Sequence, residues 1–399
     1  MCLSVYNIFD IGGVIMIRYE VPFSPEEVDY YSERLDVLNH HFETLVKEKE
    51  IQGASYCLSR DGKVFAHNAV GKLSYREDDN RPLKPDTMGE IASITKLVCA
   101  TAIFKLVEDG KLRLDQLVGE IIDEFKEPPF DKINIAHLLS HTSGMAADAG
   151  CFENKYVKPL WHRLDHEKID NWIVAGLEAG MRNEPGKEWA YCTFGYMILG
   201  EIITRVSGVF SNDYIIENIV NPCEMTDTTY NPTPVQAKNF LTSTKEIERE
   251  VNAFISGEPI YTGIWDKIPM TGWGLSSTVL DLCKFGTMLL HNGVYNGKRV
   301  LGRKAIEKMT ALHTTPDIRD YCWGSGGVSR EYGLGPDLRC NLASLYTKGT
   351  FFHEGAGGCS LIIDPTEKLV AAWFVPYVDN IWRIRSLYHA SAIMWSGLK

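Results

Sequence analysis

The sequence predicts an α+β fold, with an antiparallel sheet flanked by helices and a largely helical inserted domain. Three observations lead to this prediction. Strand-like runs occur near both ends, at 53–69 and 359–375, and the segment from about 110 to 264 has helical patterns and few strand patterns. No repeat of fixed period is visible, which argues against a solenoid.

Capping and turn residues predict the first elements. Ser24-Pro25-Glu26-Glu27 is typical of a capping box with proline at the first helical position, and it predicts a long amphipathic helix to about Lys49. Asp61-Gly62 is a strong two-residue turn signal. It predicts a hairpin of two strands, from Gly53 to Arg60 and from Lys63 to Ala69.

The later elements complete the predicted domains. Ser93 opens a helix that runs to Asp109 and stops at Gly110, and a final helix is expected around Ile381 to Trp395 after the C-terminal strands. The first residues carry an acid and no basic start, which favours an extension over a signal peptide. The predicted division is an N-terminal extension over 1–23, a sheet domain over 24–109 plus 265–399, and a helical domain over 110–264.

Composition excludes several function classes. The formal net charge of −11 repels nucleic-acid phosphates and anionic lipid surfaces, so neither is an expected partner. No stretch approaches the roughly 20 consecutive apolar residues that cross a bilayer. Ten cysteines are scattered without a C-x-x-C pair, which favours reduced thiols and a cytoplasmic location.

Ser93 and Lys96 form the first candidate for chemistry. They lie three residues apart on a predicted helix, so their side chains share a face. A lysine whose pKa is lowered by desolvation can take the proton of a serine nucleophile. The alternative is an N-cap serine with a solvated lysine, and the same spacing recurs at Ser396 and Lys399 near the chain end.

Two histidine pairs raise the alternative of a metal site. His137 and His141 have helical spacing, as do His162 and His166, but no glutamate follows the first histidine as in H-E-x-x-H. Structural histidines are therefore favoured. Neither a metal nor another cofactor is expected.

Further motifs extend the pattern around Ser93. They are Pro85-Asp86-Thr87, the string from His137 to Gly144, Pro185-Gly186, Gly195-Tyr196, Leu199-Gly200, Gly274 to Thr278 with Asp281, and His353-Glu354-Gly355. In this order, from about Gly53 to Phe374, the chain resembles the β-lactamase-related serine hydrolases. These include class C β-lactamases, D-alanyl-D-alanine carboxypeptidases, D-aminopeptidases and family VIII esterases. The resemblance implies a β-lactamase/transpeptidase-like sheet domain and Ser93 as nucleophile with Lys96 as base.

The resemblance also implies roles for two further motifs. Tyr191-Cys192-Thr193 stands where the family usually has Tyr-x-Asn, so Tyr191 would shuttle protons as a coupled pair with Lys96. The alternative for Tyr191 is a core tyrosine. His353-Glu354-Gly355 stands where β-lactamases commonly have Lys-Thr-Gly. There the backbone N–H groups of Ser93 and Ala356 would form an oxyanion hole, and His353 would be a catalytic-site residue.

Departures from the family pattern bear on the substrate. Thr193 replaces the usual asparagine, and His353 replaces a charged lysine, which disfavours anionic β-lactams. Glu354, if it points inward, would suit a substrate with a free amine. Thr193 and Gly355 are expected to contact the substrate, together with apolar liners chosen from Trp273, Trp323, Tyr261, Trp265 and Tyr332, which could equally be core aromatics.

The expected function is that of a serine hydrolase acting through an acyl-enzyme on small esters, amides or short peptides. It would be a carboxylesterase or a D-amino-acid amide or peptide hydrolase. The α/β-hydrolase elbow G-x-S-x-G is absent, so that fold gains no support. An acyltransferase on the same scaffold, a weak β-lactamase and a non-catalytic binding protein remain alternatives, and a homo-oligomer is left open.

Overall fold

A computed structural model of the chain describes residues 6–10, 13–148, 160, 163–164, 167–258, 263–338, 344–376 and 387–399. Its centre is a seven-stranded sheet in the order β1-β2-β4-β3-β7-β6-β5, and every neighbouring pair is antiparallel. The strands are β1 Tyr6–Asp10, β2 Ile15–Tyr19, β3 Gly53–Arg60, β4 Lys63–Gly71, β5 Phe351–Gly355, β6 Cys359–Asp364 and β7 Leu369–Phe374. The predicted α+β class is confirmed.

Helices cover both faces of this sheet and fill the middle of the chain. The α-helices are α1 Ser32–Lys47, α2 Thr95–Glu108, α3 Ile135–Leu139, α4 Trp172–Leu177, α5 Thr193–Ser207, α6 Ser211–Ile215, α7 Pro234–Ala237, α8 Lys245–Ser256, α9 Val279–Leu290, α10 Arg303–Thr310 and α11 Ala390–Trp395. Two-residue strands pair outside the main sheet, among them Gly89–Glu90 with Ser276–Ser277.

The two faces of the sheet bury separate cores. One core contains α1 and α11, with Phe42 and Trp395 packed against Tyr56 and Trp373 of the sheet. The other lies under α2 and α9 and continues into the middle segment, where it includes Leu199 and Ile203 of α5. Because α2 is buried on almost every side, a single helix contacts both the sheet side and the helical segment, and it carries the candidate base Lys96.

Local turn chemistry accounts for the predicted hairpin. Asp61 and Gly62 both have positive φ, at 52° and 79°, as a two-residue hairpin turn requires. They join β3 to β4, and the C-terminal strands β6 and β7 complete this side of the sheet, all close to the predicted bounds.

The N-terminal part of the chain differs from the prediction in two ways. Within the predicted extension over 1–23, Tyr6–Asp10 and Ile15–Tyr19 are strands β1 and β2 of the sheet. The predicted helix from Ser24 to Lys49 is interrupted. Ser24 does bond to the Glu27 carboxylate, but the turn Glu26–Val28 ends at Asp29, whose φ is 52°.

The interruption has a tertiary cause. Tyr30 pairs with Leu398 near the C-terminus, and its hydroxyl donates to the Met394 carbonyl at 2.8 Å. These contacts hold the chain out of a helix, so α1 begins only at Ser32. The predicted final helix is described from Ala390 to Trp395, and 381–386 lie outside the described residues.

The domain division stays a prediction, although one core spans both predicted units. All seven cysteines in the described part of the chain are buried free thiols. Across that same part, no helix combines the length and the apolar character that crossing a membrane would need.

Candidate active site

Ser93 lies in a strained turn that leads into α2. The turn Ala92–Ile94 is a single 3-10 turn, and Ala92 has a φ of 42°, which is rare for a residue with a side chain. Such a backbone costs about 1–3 kcal/mol and persists only where surrounding contacts hold it. Ile91 N donates to Leu275 O at 3.0 Å, which ties the turn to the neighbouring strand.

Lys96 follows one helical turn later and is completely buried. Its Nζ lies 3.2 Å from Ser93 Oγ, 3.1 Å from Thr193 Oγ1 and 2.7 Å from the carbonyl oxygen of Gly272. The alternative of a solvated lysine is therefore wrong. The structure brings together hydroxyl, amine and Thr193, as the sequence predicts.

Burial makes this amine easier to deprotonate. Desolvation lowers the pKa of Lys96 from its ordinary value to about 8, while the nearby Asp148 carboxylate acts in the opposite direction. A substantial fraction of the amine is thus neutral in mildly alkaline solution. Only this neutral form has a lone pair that can accept the proton of Ser93.

Gly272 is missed by the sequence interpretation, because its contribution is a backbone carbonyl. A Cβ atom at this residue would lie 2.7 Å from Cγ2 of Thr193, so the close approach needs glycine. The neighbouring Trp273, a predicted substrate contact, is partly buried and packs against the larger core.

Tyr191 lies directly before α5, with its ring next to the amine. Lys96 Nζ is 4.8 Å from the centre of the Tyr191 ring, which is within range of a cation–π contact. The ring packs between His141, at 4.3 Å between centroids, and Trp323, at 5.3 Å. Tyr191 is only partly buried, unlike a core tyrosine, and its ring contacts the amine of Lys96.

Asp148 is a second residue that the sequence interpretation misses. Its carboxylate accepts the Thr193 N–H at 2.7 Å and the Thr193 hydroxyl at 2.5 Å. Burial raises the pKa of Asp148, whereas the charge of Lys96 and the two bonds from Thr193 lower it. No local sequence pattern predicts this contact, because Asp148 lies 45 positions before Thr193.

The histidines of the string after Ala136 are structural. His137 accepts a bond from Asn134 N, and the Asn134 side chain accepts one from His137 N, which caps α3. His141 Nδ1 accepts the Cys192 N–H at 3.1 Å, so the ring supports the chain beside Tyr191. Burial puts the pKa of His141 well below its usual range.

No metal pair is formed by these side chains. Among the residues with described positions, no group of three histidine, cysteine, aspartate or glutamate side chains could hold a metal ion. His162 and His166 lie outside the described residues.

Strand β5 brings the third motif to Ser93. Phe351 belongs to the core under α2 and Phe352 to the core on the opposite face, so alternation places His353 and Gly355 on the Ser93 side. A Cβ on Gly355 would lie 2.5 Å from Ile91 O and 2.3 Å from Cys359 Sγ. The end of β5 thus touches the turn of Ser93.

The same alternation bears on Glu354, whose direction the sequence leaves open. This side chain falls on the opposite face of β5 from His353. Ala356 follows in the exposed turn after β5, next to the Gly355 contact with Ile91.

His353 supplies no positive charge at neutral pH. It is 5% exposed, and burial together with the charge of Lys96 lowers the pKa of His353 to about 4. The neighbouring Arg330 is itself buried and bonds to Asp320 at 3.0 Å and to Asp337 at 2.5 Å. Its charge is therefore neutralised within the protein.

Comparison with known proteins agrees with this geometry. The family profile described as Beta-lactamase matches residues 38–382. The chain belongs to the beta-lactamase family. Its predicted resemblance is thereby confirmed.

The proteins that resemble this beta-lactamase family member have several different names. A putative D-alanyl-D-alanine carboxypeptidase of Escherichia coli O157:H7 is 24% identical, over 87% of this chain and 83% of that protein. The structure of EstCE1, a hydrolase with promiscuous acyltransferase activity, superposes with a TM-score of 0.71 at 18% identity, covering 90% of this chain and 98% of that one. Simvastatin synthase (LovD) from Aspergillus terreus gives a TM-score of 0.71 at 19% identity, covering 91% and 98%.

Trp323, one of the aromatic residues predicted to line the pocket of this family member, packs on Tyr191. It is 58% exposed and has a φ of 49°. Tyr332 is instead buried, and its hydroxyl donates to Gly335 O at 3.0 Å, so it is a core residue. Trp265 packs partly buried against the larger core, and Tyr261 lies outside the described residues.

The lowered pKa of Lys96 predicts a pH dependence for the reactivity of Ser93. Labelling by a fluorophosphonate should accelerate as the pH rises and reach half its maximum near pH 8, because the ammonium form of Lys96 has no lone pair. The second-order labelling rate constant from pH 6 to pH 10 measures this. Lys96→Met should lower the rate about 100-fold and remove the rise. A rise that persists in Lys96→Met would exclude Lys96 as its source.

The contact between β5 and the Ser93 turn predicts a second effect. Gly355→Ala should slow Ser93 labelling at least tenfold, because the new Cβ must push β5 away from Ile91 O, and misplacement by about 1 Å costs up to 100-fold. Gly89→Ala is the matched control, since its Cβ meets nothing closer than 3.6 Å. Equal rates in the two variants would contradict the expected role of this contact.

Proposed function

We propose that this chain is a serine hydrolase that cleaves ester or amide bonds through an acyl-enzyme on Ser93. It would act as a carboxylesterase or as a hydrolase of D-amino-acid amides and peptides. One observation carries the proposal: a buried amine, with its pKa lowered to about 8, lies 3.2 Å from the Ser93 hydroxyl. That is hydrogen-bonding distance for a nucleophile and its base.

In the acylation step, Lys96 acts as general base. Ser93 Oγ forms a bond to the carbonyl carbon while its proton passes to Lys96 Nζ, and the π electrons of the carbonyl move to its oxygen. The backbone N–H groups of Ser93 and Ala356 would stabilise this oxyanion. The contact of Gly355 with Ile91 supports that arrangement, because it brings the turn after β5 to Ser93.

Collapse of the intermediate requires a proton for the leaving group. Tyr191 is the proposed shuttle, since its ring lies against Lys96 Nζ and it is partly accessible. The proton moves from Lys96 through the phenol to the departing oxygen or nitrogen. Water then attacks the acyl-enzyme, and the same pair accepts its proton.

The charges around the site favour an acyl group without a carboxylate. His353 is neutral near pH 7, and the two terminal nitrogens of Arg330 donate to Asp320 and Asp337. Neither residue therefore offers a positive charge to a substrate carboxylate. Efficient turnover of anionic β-lactams is therefore not part of the proposal.

Acyl transfer to an alcohol or amine is the second candidate. The observation that favours it is the exposed indole of Trp323, which packs on Tyr191, the proposed proton shuttle. An apolar acceptor bound on this ring could replace water. EstCE1, which has the same fold, is a hydrolase with promiscuous acyltransferase activity. The cytoplasmic location and a homo-oligomer stay predictions from the sequence.

Identity of the nucleophile is the decisive test of the proposed function. Wild-type protein should hydrolyse a short-chain p-nitrophenyl ester and gain the mass of one phosphonate adduct that maps to Ser93. Ser93→Ala should lose the adduct and at least about 1000-fold of the hydrolysis, since the nucleophile and its base act as a unit. Equal hydrolysis by both proteins, or an adduct on another residue, would favour a non-catalytic binding protein at this site.

Neutrality of His353 predicts the outcome of restoring the lysine common in β-lactamases. His353→Lys should raise kcat/KM for an anionic cephalosporin about tenfold, because a fixed cation can pair with the substrate carboxylate. The rate for the neutral p-nitrophenyl ester should not rise. His353→Gln is the matched control, since it is polar but uncharged and should give no gain for the anion. A gain of equal size in His353→Gln would show that charge is not the cause.

A further inference from the structure

We propose that Asp148 is a positioning residue that directs the lone pair of Lys96 toward Ser93 by fixing the hydroxyl proton of Thr193. This inference rests on the proposed function, because it assigns the orientation of the base used there. Its evidence is the chain of contacts from Asp148 through Thr193 and Lys96 to Ser93.

The first step concerns the single proton of the Thr193 hydroxyl. A hydroxyl has one hydrogen to donate, whereas a carboxylate can only accept. Thr193 Oγ1 lies 2.5 Å from one Asp148 oxygen, and the Thr193 N–H occupies the other at 2.7 Å. The hydroxyl proton is therefore committed to Asp148, and Thr193 Oγ1 can only accept from Lys96.

The second step concerns the amine. A neutral amine has two N–H bonds and one lone pair. Gly272 O is a pure acceptor at 2.7 Å, and Thr193 Oγ1 is made an acceptor by Asp148. Both N–H bonds of Lys96 are thus used. The lone pair remains, and the third contact of Nζ is Ser93 Oγ at 3.2 Å.

The third step follows the proton through acylation. When Ser93 Oγ bonds to the carbonyl carbon, its proton moves to the lone pair of Lys96. The resulting ammonium has three N–H bonds facing three oxygens, on Gly272, Thr193 and Ser93. The buried Asp148 carboxylate stabilises this cation through space, since it raises the pKa of Lys96 against the effect of burial.

This arrangement also accounts for Thr193 in place of the usual asparagine. An asparagine amide carries its acceptor and its donors on separate atoms, so its direction is built in. A threonine hydroxyl can turn either way and needs a partner to fix it. Asp148 is that partner, held in place by its own N–H, which donates to Tyr191 O at 2.9 Å.

A plain helix-capping role is the competing explanation. At the start of α5 the Thr193 N–H has no acceptor within the helix, and a carboxylate that accepts it there stabilises the helix. Capping alone needs the bond to the Thr193 N–H and not the bond to its hydroxyl. The two roles therefore separate in a variant that keeps the first bond and reverses the second.

Asp148→Asn is that variant. Its amide oxygen can still accept the Thr193 N–H, but its NH2 group then faces Thr193 Oγ1 and donates to it. The threonine proton is turned toward Lys96, where it competes with Ser93 for the lone pair. Ester hydrolysis and Ser93 labelling at their pH plateaus should fall about 100-fold, a loss typical of a misdirected general base.

Non-additivity of Asp148→Asn and Thr193→Val is the readout that capping would not produce, whereas a shift of the pH profile reports only the charge beside Lys96. Asp148→Asn removes an anion beside Lys96, so the rise of the labelling rate should shift to lower pH than in the wild type. Asp148→Asn combined with Thr193→Val should be no slower than Asp148→Asn alone, because the misdirected proton is gone. Thr193→Ser keeps the hydroxyl and should remain within a few-fold of the wild type.

Asp281→Asn is the matched control for fold stability. Asp281 is a buried carboxylate that likewise accepts a backbone N–H, from Asp227, and a threonine hydroxyl, from Thr228. Its variant should lower the thermal midpoint without shifting the pH profile of labelling. Asp148→Asn must show the shift at a temperature where both variants are folded.

The outcomes separate this inference from the proposed function. An active wild type with Ser93 labelled, but with Asp148→Asn equal to it in rate and pH profile, would overturn the positioning role and leave the hydrolase intact. A slower Asp148→Asn whose loss of rate adds to that of Thr193→Val would show that Asp148 only caps the helix. A wild type that neither hydrolyses esters nor labels at Ser93 would overturn both.

Discussion

The desolvation of one amine is the constraint on which the site depends. Lys96 is fully enclosed, and a buried ammonium is costly unless each of its hydrogens has an acceptor. Three oxygens surround it, from Ser93, Thr193 and Gly272. These oxygens provide hydrogen-bond partners for the amine of Lys96 inside the core. Burial meanwhile holds the pKa of Lys96 in a range that allows proton transfer.

The sheet and the helical segment each supply part of this enclosure. α2 places Ser93 and Lys96, α5 places Thr193, and the loop before Ser276–Ser277 places Gly272. β5 closes the arrangement from the sheet side at Gly355. At Gly272 and Gly355 the neighbouring atoms leave no space for a Cβ atom. The geometry therefore depends on backbone contacts as much as on reactive side chains.

Local features of the fold could be predicted from the sequence, whereas its long-range contacts could not. The Asp61-Gly62 turn and the Ser93–Lys96 spacing are set within a few residues, and both are found as expected. The capping pattern at Ser24 predicts the start of α1 too early, because Tyr30 pairs with Leu398 near the other end of the chain. A capping pattern contains no information about such a partner.

The same distinction applies within the site. Tyr191 and His353 stand out only through the family pattern, since neither has a local signature. Gly272 contacts Lys96 across 176 positions through a carbonyl that every residue possesses. Asp148 bonds to Thr193 across 45 positions from a stretch of small residues. Only the folded chain reveals these partners.

The neutral His353 and the net charge of the chain act in the same direction on anions. With a net charge of −11, the whole molecule repels anions over about one Debye length, roughly 10 Å at 0.1 M salt. Anionic compounds are therefore retarded during diffusional encounter. Uncharged compounds arrive at a rate that ionic strength hardly alters, so selection against anions begins in solution.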